Sequence, residues 1–154
     1  MSNNMSWVIR NAERGDMVQV ASLIQDLADY EKAGDEAELS EEDLIRDGFG
    51  PRPAFQCLVA EENKEVKGMA IFYPRYSTWK GRTLYLEDLL VKESERGKGI
   101  GKALFKALVE RCEKEGYKRL EWQVLDWNEP AIKFYEAMNS ELDPSWLNGR
   151  ITFH

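Results

Sequence analysis

Apolar residues recur along this chain with two different periods. Val20, Leu23, Ile24, Leu27 and Ala28 keep the spacing of one helical face, which predicts a helix capped by Asp16 and running to about Tyr30. A polar stretch over 31–39 separates it from a second helix. There Ser40 and Asp43 form a capping box, and the run Asp47-Gly48-Phe49-Gly50-Pro51 stops the helix. The period then drops to that of strands. Residues 54–60, 66–73 and 83–91 read as an antiparallel meander joined by 61–64 and 74–82, and a short strand at 7–10 precedes both helices. Helical spacing returns with Ile100, Leu104, Ala107, Leu108 and Cys112, stopped by Gly116; 119–125 alternates as a strand, 129–138 reads as a short helix and 150–154 as a last strand. No repeat, low-complexity tract or Gly/Ser linker interrupts this order, which predicts one domain over 1–154. Its class is α+β, with a central mixed, mostly antiparallel sheet flanked by helices.

Composition narrows the choice of chemistry. A chain of 154 residues with 43% hydrophobic and 32% charged residues can bury a core without staples. No apolar run approaches the roughly 20 residues of a membrane span, and residues 1–10 lack the basic start and apolar stretch of an export signal, so the expectation is a cytoplasmic protein with no membrane partner. Cys57 and Cys112 have no C-x-x-C spacing and His154 is the single histidine, which argues against a metal site or a histidine-based triad. With 28 acidic against 21 basic residues the net charge is −7, unfavourable for nucleic acid and mildly favourable for cationic partners, although the same charge also serves solubility alone.

The run Arg96-Gly97-Lys98-Gly99-Ile100-Gly101-Lys102 follows an apolar strand and opens a helix, the context in which a glycine-rich turn cradles phosphate. Glycines permit close backbone approach, and successive N–H groups and the helix dipole face the anion. The Walker pattern fails because Ala103 follows Lys102 and no glycine stands five residues before Gly101. The dinucleotide fingerprint fails because its third glycine comes one residue early. What remains is [RQ]-x-x-G-x-[GA] over Arg96, Gly99 and Gly101, which resembles the pyrophosphate-binding motif of the GNAT superfamily of N-acetyltransferases. Downstream, Asn128-Glu129-Pro130-Ala131-Ile132-Lys133-Phe134-Tyr135-Glu136 resembles the second signature of that superfamily. The resemblance implies acetyl-CoA as co-substrate, with Asn128, Pro130, Ala131 and the turn lining it. Tyr135 is the expected general acid, since a phenol in hydrogen-bond reach can protonate a leaving CoA thiolate. Asn139 stands where the family has Gly after Tyr-Glu-x-x, and Asn is the usual substitute in a left-handed cap.

The run Leu84-Tyr85-Leu86-Glu87-Asp88-Leu89-Leu90-Val91, with Leu27-Ala28-Asp29-Tyr30-Glu31 and Trp127-Asn128-Glu129-Pro130, is similar to the diamine (spermidine/spermine) and thialysine acetyltransferase branch. This implies a homodimer acting on a small cationic amine, with Leu89, Leu90 and Val91 pairing their backbone with the pantetheine arm. It also implies substrate contacts from Tyr30, Glu31, Glu87 and Asp88, and from Glu121, Trp122 and Gln123 on the opposite wall. An amine near pKa 10 must lose a proton to attack a thioester, and Glu87, beside Asp88, is the expected base or substrate anchor. Strand alternation puts Glu87 and Asp88 on opposite faces, so only one is expected to face the cleft directly. The acceptor stays open between a polyamine, a thialysine-like amino acid, a lysine-like metabolite and a protein N-terminus or lysine. An acetyl-CoA sensor without turnover is the alternative that retention of Glu87 and Tyr135 opposes.

Overall fold

A computed structural model of the chain describes residues 6–32, 34 and 38–154. Residues 1–5, and residues 33 and 35–37 of the expected polar stretch, lie outside the described residues. The chain forms two compact units, Met1–Trp122 and Gln123–His154.

The first unit holds β1 (Val8–Asn11), α1 (Met17–Tyr30), α2 (Glu41–Phe49), β2 (Gln56–Glu62), β3 (Glu65–Ser77), β4 (Gly81–Val91), α3 (Ile100–Glu115) and β5 (Arg119–Trp122). The strands lie in the order β1-β2-β3-β4-β5, antiparallel except for the parallel β4–β5 pair that the crossover through α3 creates. The mixed sheet agrees with the alternation of elements in the sequence.

Local chemistry sets most boundaries. Ser40 caps α2 as expected, its Oγ accepting from the Asp43 N–H at 3.2 Å while Asp43 accepts from the Ser40 N–H at 3.0 Å. Asp16 does not cap α1 with its side chain. Its carboxylate instead accepts a fork of two bonds from Arg10, at 2.8 and 2.9 Å, and the Glu13 N–H at 2.7 Å. Two charged donors outbid a cap, and the Arg10 guanidinium holds the Asp16 carboxyl below its ordinary value. The β3–β4 hairpin is longer than expected because the turn is tight. Gly81 takes φ +99° and the Ser77 hydroxyl accepts the N–H groups of Trp79 and Lys80, so pairing runs to Ser77↔Gly81 and takes in Pro74 opposite Leu84.

The sheet has two covered faces. On one, Met17, Val20 and Leu23 of α1 and Leu44 of α2 pack on Cys57, Val59, Met69 and Ile71, each fully buried side chain worth roughly 1.5–3 kcal/mol over exposure. On the other, α3 presents Ile100 and Leu104 to Gly68, where a Cβ would stand 2.9 Å from Ile100. Gly68 is small so that a helix can lie close to the sheet.

In the second unit α4 (Glu129–Glu136) ends two residues before the expected Met138, and Asn139 then takes φ +59°, the left-handed conformation expected of it. Residues 150–154 form no strand, against expectation, and β5 stops at Trp122 rather than Leu125. Alternation alone makes no strand: residues 123–154 contain no ladder for Ile151 and Phe153 to join, and both are exposed.

Candidate active site

The β3–β4 ladder pairs Ile71 with Asp88 but the next residue, Phe72, with Leu86, so Glu87 is left unopposed in a β-bulge. The extra residue resets the alternation. Asp88, opposite Ile71, lies on the face covered by α1 and α2, and Glu87 reaches that same side, where its Oε1 accepts the Tyr73 hydroxyl at 2.8 Å. The expectation that only one of the two acids can face the cleft therefore fails, because the bulge brings both to one side.

The Asp88 carboxyl is half-buried and pushed up to about 6, chiefly by desolvation and then by the charges of Glu87 and Glu31. Glu31 follows the last residue of α1, Tyr30, and burial raises its carboxyl too. Three acids from α1 and β4 thus converge. Tyr73 and Tyr85, cross-strand partners with rings 5.5 Å apart, lie beside them; desolvation raises both phenols, followed by the hydrogen bond to Glu87 for Tyr73 and by the Glu87 charge for Tyr85. Neither tyrosine is among the residues expected at the site, although Tyr85 lies in the run that carries the branch resemblance; the register brings both to the acids.

Of the opposite wall, Glu121 pairs across from Tyr85 and shares that face. It holds Arg119, and Arg75 stands 3.8 Å away. Trp122 alternates to the other side, edge-on to Phe105 of α3 at 5.4 Å. Gln123 falls in the second unit and donates to the Asn148 side chain at 2.6 Å.

The glycine turn has the geometry an anion requires. Gly97 and Gly99 take φ +81° and +89°, and a Cβ built on either meets nothing within 4 Å, so the backbone is bare towards open space. Gly99 is the N-cap of α3, leaving the N–H groups of Ile100, Gly101 and Lys102 without intrahelical acceptors. Lys98 is tied to Glu95 at 3.1 Å and Arg96 turns back to the Val91 carbonyl at 3.4 Å, so the backbone is the main donor here. β5 pairs with β4 only up to Leu86↔Trp122; within the first unit no described strand pairs with 87–91 on that edge, which leaves the backbone of Leu89, Leu90 and Val91 without a ladder partner there. Such a strand edge leading to a nest of N–H groups at a helix start fits a long amide-bearing arm ending in a pyrophosphate.

Residues 20–139 match the model of the acetyltransferase (GNAT) family. The chain belongs to that family. It is 42% identical over 142 residues to thialysine N-epsilon-acetyltransferase of Bos taurus, covering 87% of this chain and 84% of that protein. It is 39% identical over 136 residues to the spermidine/spermine N(1)-acetyltransferase-like protein 1 of Homo sapiens, covering 84% of this chain but 20% of that longer protein. Among solved structures, an integron cassette protein from the mobile metagenome of V. cholerae superposes with a TM-score of 0.80 at 28% identity, covering 97% of this chain and 94% of that one. The protein is thus a GNAT N-acetyltransferase, with acetyl-CoA as its co-substrate and an amine as acceptor.

In the second unit Asn128 is the N-cap of α4, its Oδ1 accepting the Ala131 N–H at 3.3 Å, and Pro130 occupies the first turn, where its missing N–H costs nothing. Tyr135 is buried on α4 with Phe134 edge-on at 5.2 Å. Among the described residues no helix is long and apolar enough to cross a membrane.

Proposed function

We propose that this GNAT enzyme acetylates a primary amine of a small cationic substrate by direct attack in a ternary complex with acetyl-CoA. The observation that carries the reading is the convergence of Glu31, Glu87 and Asp88 at the β4 bulge, beside a strand edge without a ladder partner in the first unit. The co-substrate supplies an activated acetyl group; the chain supplies position and proton traffic. Backbone groups of Leu89, Leu90 and Val91 and the turn from Arg96 to Lys102 hold the co-substrate, with Asn128, Pro130 and Ala131 contributing by family resemblance. Glu31 and Tyr30 draw in the ammonium, and Glu121 closes the far side.

The carboxylates divide the work. The Tyr73 hydroxyl donates to Glu87 and fixes the position of that carboxylate, which suits an anchor for the ammonium. Asp88, pushed up to about 6 chiefly by burial, is matched to accepting the proton as the amine attacks. When the C–S bond breaks, Tyr135 is the proposed donor to the departing thiolate. A homodimer, a cytoplasmic setting and one domain over 1–154 complete the reading.

The test is thiol release from acetyl-CoA across small mono- and diamines, with mass spectrometry of the acetylated product. Asp88→Asn is expected to lower kcat by about two to four orders of magnitude while leaving acetyl-CoA affinity intact. Thiol release without an acetylated small amine, or undiminished kcat in that variant, would overturn the assignment.

A further inference from the structure

Five side chains of alternating charge run up to the glycine turn. Lys92, just past β4, lies 3.4 Å from Glu65 at the start of β3, and Glu65 pairs with Lys67 at 2.6 Å. Lys67 reaches Glu95 at 3.5 Å, and Glu95 accepts from Lys98, inside the turn, at 3.1 Å. The two oxygens of Glu95 serve different lysines, Oε1 taking Lys98 and Oε2 taking Lys67.

The members of this row are unequally held. Lys67 and Glu95 are 15% and 12% exposed, whereas Lys98 is 57% exposed and stands between Gly97 and Gly99, beside which the space is open. Withdrawing Lys98 leaves no charge alone, because Glu95 retains Lys67 and Lys67 retains Glu65. An exposed ion pair contributes little, and a phosphate offers the same ammonium a stronger, charge-assisted partner. The row is therefore built so that its last cation can leave.

We infer that Glu95 competes with the pyrophosphate of the co-substrate for Lys98, and so sets how tightly the enzyme holds CoA. Glu95 is a positioning residue, acting through Lys98 and by repulsion of the incoming phosphate rather than by contact with it. In the free enzyme Lys98 rests on Glu95; with the pyrophosphate on the turn it swings to the phosphate while Glu95 stays on Lys67. The inference rests on the proposed role of the turn from Arg96 to Lys102, and the experiment separates the two.

Calorimetry measures CoA directly, and pantetheine, which has no phosphate, by displacement, in the wild type, Glu95→Gln, Lys98→Gln and the double variant. Glu95→Gln is expected to tighten CoA by about 2- to 5-fold, the scale of an exposed ion pair, and to leave pantetheine unchanged. Lys98→Gln, at an exposed position, is expected to weaken CoA by a similar factor. The decisive comparison is the double variant: with Lys98 absent, Glu95→Gln is expected to lose most of its effect, a coupling that a merely structural role would not produce. Unchanged or weaker CoA binding in Glu95→Gln, an equal change for pantetheine, or strict additivity of the two substitutions would overturn the inference while leaving the turn as the phosphate site. A wild type that holds pantetheine as tightly as CoA would sink the proposed role of the turn, and the inference with it.

Discussion

Asp88 is a carboxyl group held where its charge is unwelcome. Its ordinary value near 4 rises to about 6 in the fold because it loses water and faces Glu87 and Glu31. Between those values the folded state binds more protons than the unfolded one, so stability falls as pH rises from about 4 through 6. An amide in its place has no such penalty. Asp88→Asn is therefore expected to be more stable than the wild type above pH 6, by on the order of 1–3 kcal/mol, with the difference closing below about pH 4. Urea unfolding over pH 4 to 8 measures this, and a pH-independent difference would show that the acid is not the source. On the proposed reading, with Asp88 as the base, the same substitution should abolish most turnover, so that stability and activity move in opposite directions.

The strand-to-helix turn between β4 and α3 is where, on the proposed reading, backbone conformation alone makes the co-substrate site. Gly97 and Gly99 are required by their positive φ rather than by crowding, since the space beside them is open. Gly99→Val is expected to cost about 1–3 kcal/mol of stability as a branched residue in a left-handed conformation, and to abolish the thermal shift produced by acetyl-CoA. Gly81→Val provides the control. Gly81 has φ +99° in the β3–β4 hairpin and a Cβ there meets only Lys118 at 3.6 Å, so it carries a similar strain without touching the turn. Differential scanning fluorimetry of both variants should show comparable destabilisation, with the acetyl-CoA shift lost only in the first. Loss in both, or in neither, would remove the phosphate role from the turn.

Over the whole molecule the charge of −7 becomes a kinetic property. A cationic acceptor is drawn to a negative protein, and screening shortens that attraction as the Debye length falls from about 30 Å at 0.01 M salt to about 8 Å at 0.15 M. With acetyl-CoA saturating, kcat/KM for a substrate bearing two ammonium groups is expected to fall several-fold over that range. An amine uncharged at the assay pH should change little. Parallel salt profiles for the two would confine the acidic balance to solubility.

Much of this protein is decided by features that are local in the chain. The helical stripe from Ile100 to Cys112, the Ser40–Asp43 box, the glycine turn with its positive φ and the left-handed Asn139 each follow from neighbouring residues, because periodicity, capping and backbone sterics act over a few positions. The family signatures are legible for the same reason. Long-range pairing decides the rest. A single unopposed residue at Glu87 reverses the alternation of β4, puts Asp88 and Glu87 on one face, and brings Tyr73, Tyr85 and Arg75 to them from a register that no spacing within either strand contains. Residues 150–154 fail in the opposite direction, since their alternation has no neighbouring strand within their unit. A strand's faces are properties of the ladder it joins, and the hydrogen bonds of that ladder are set only when distant segments meet.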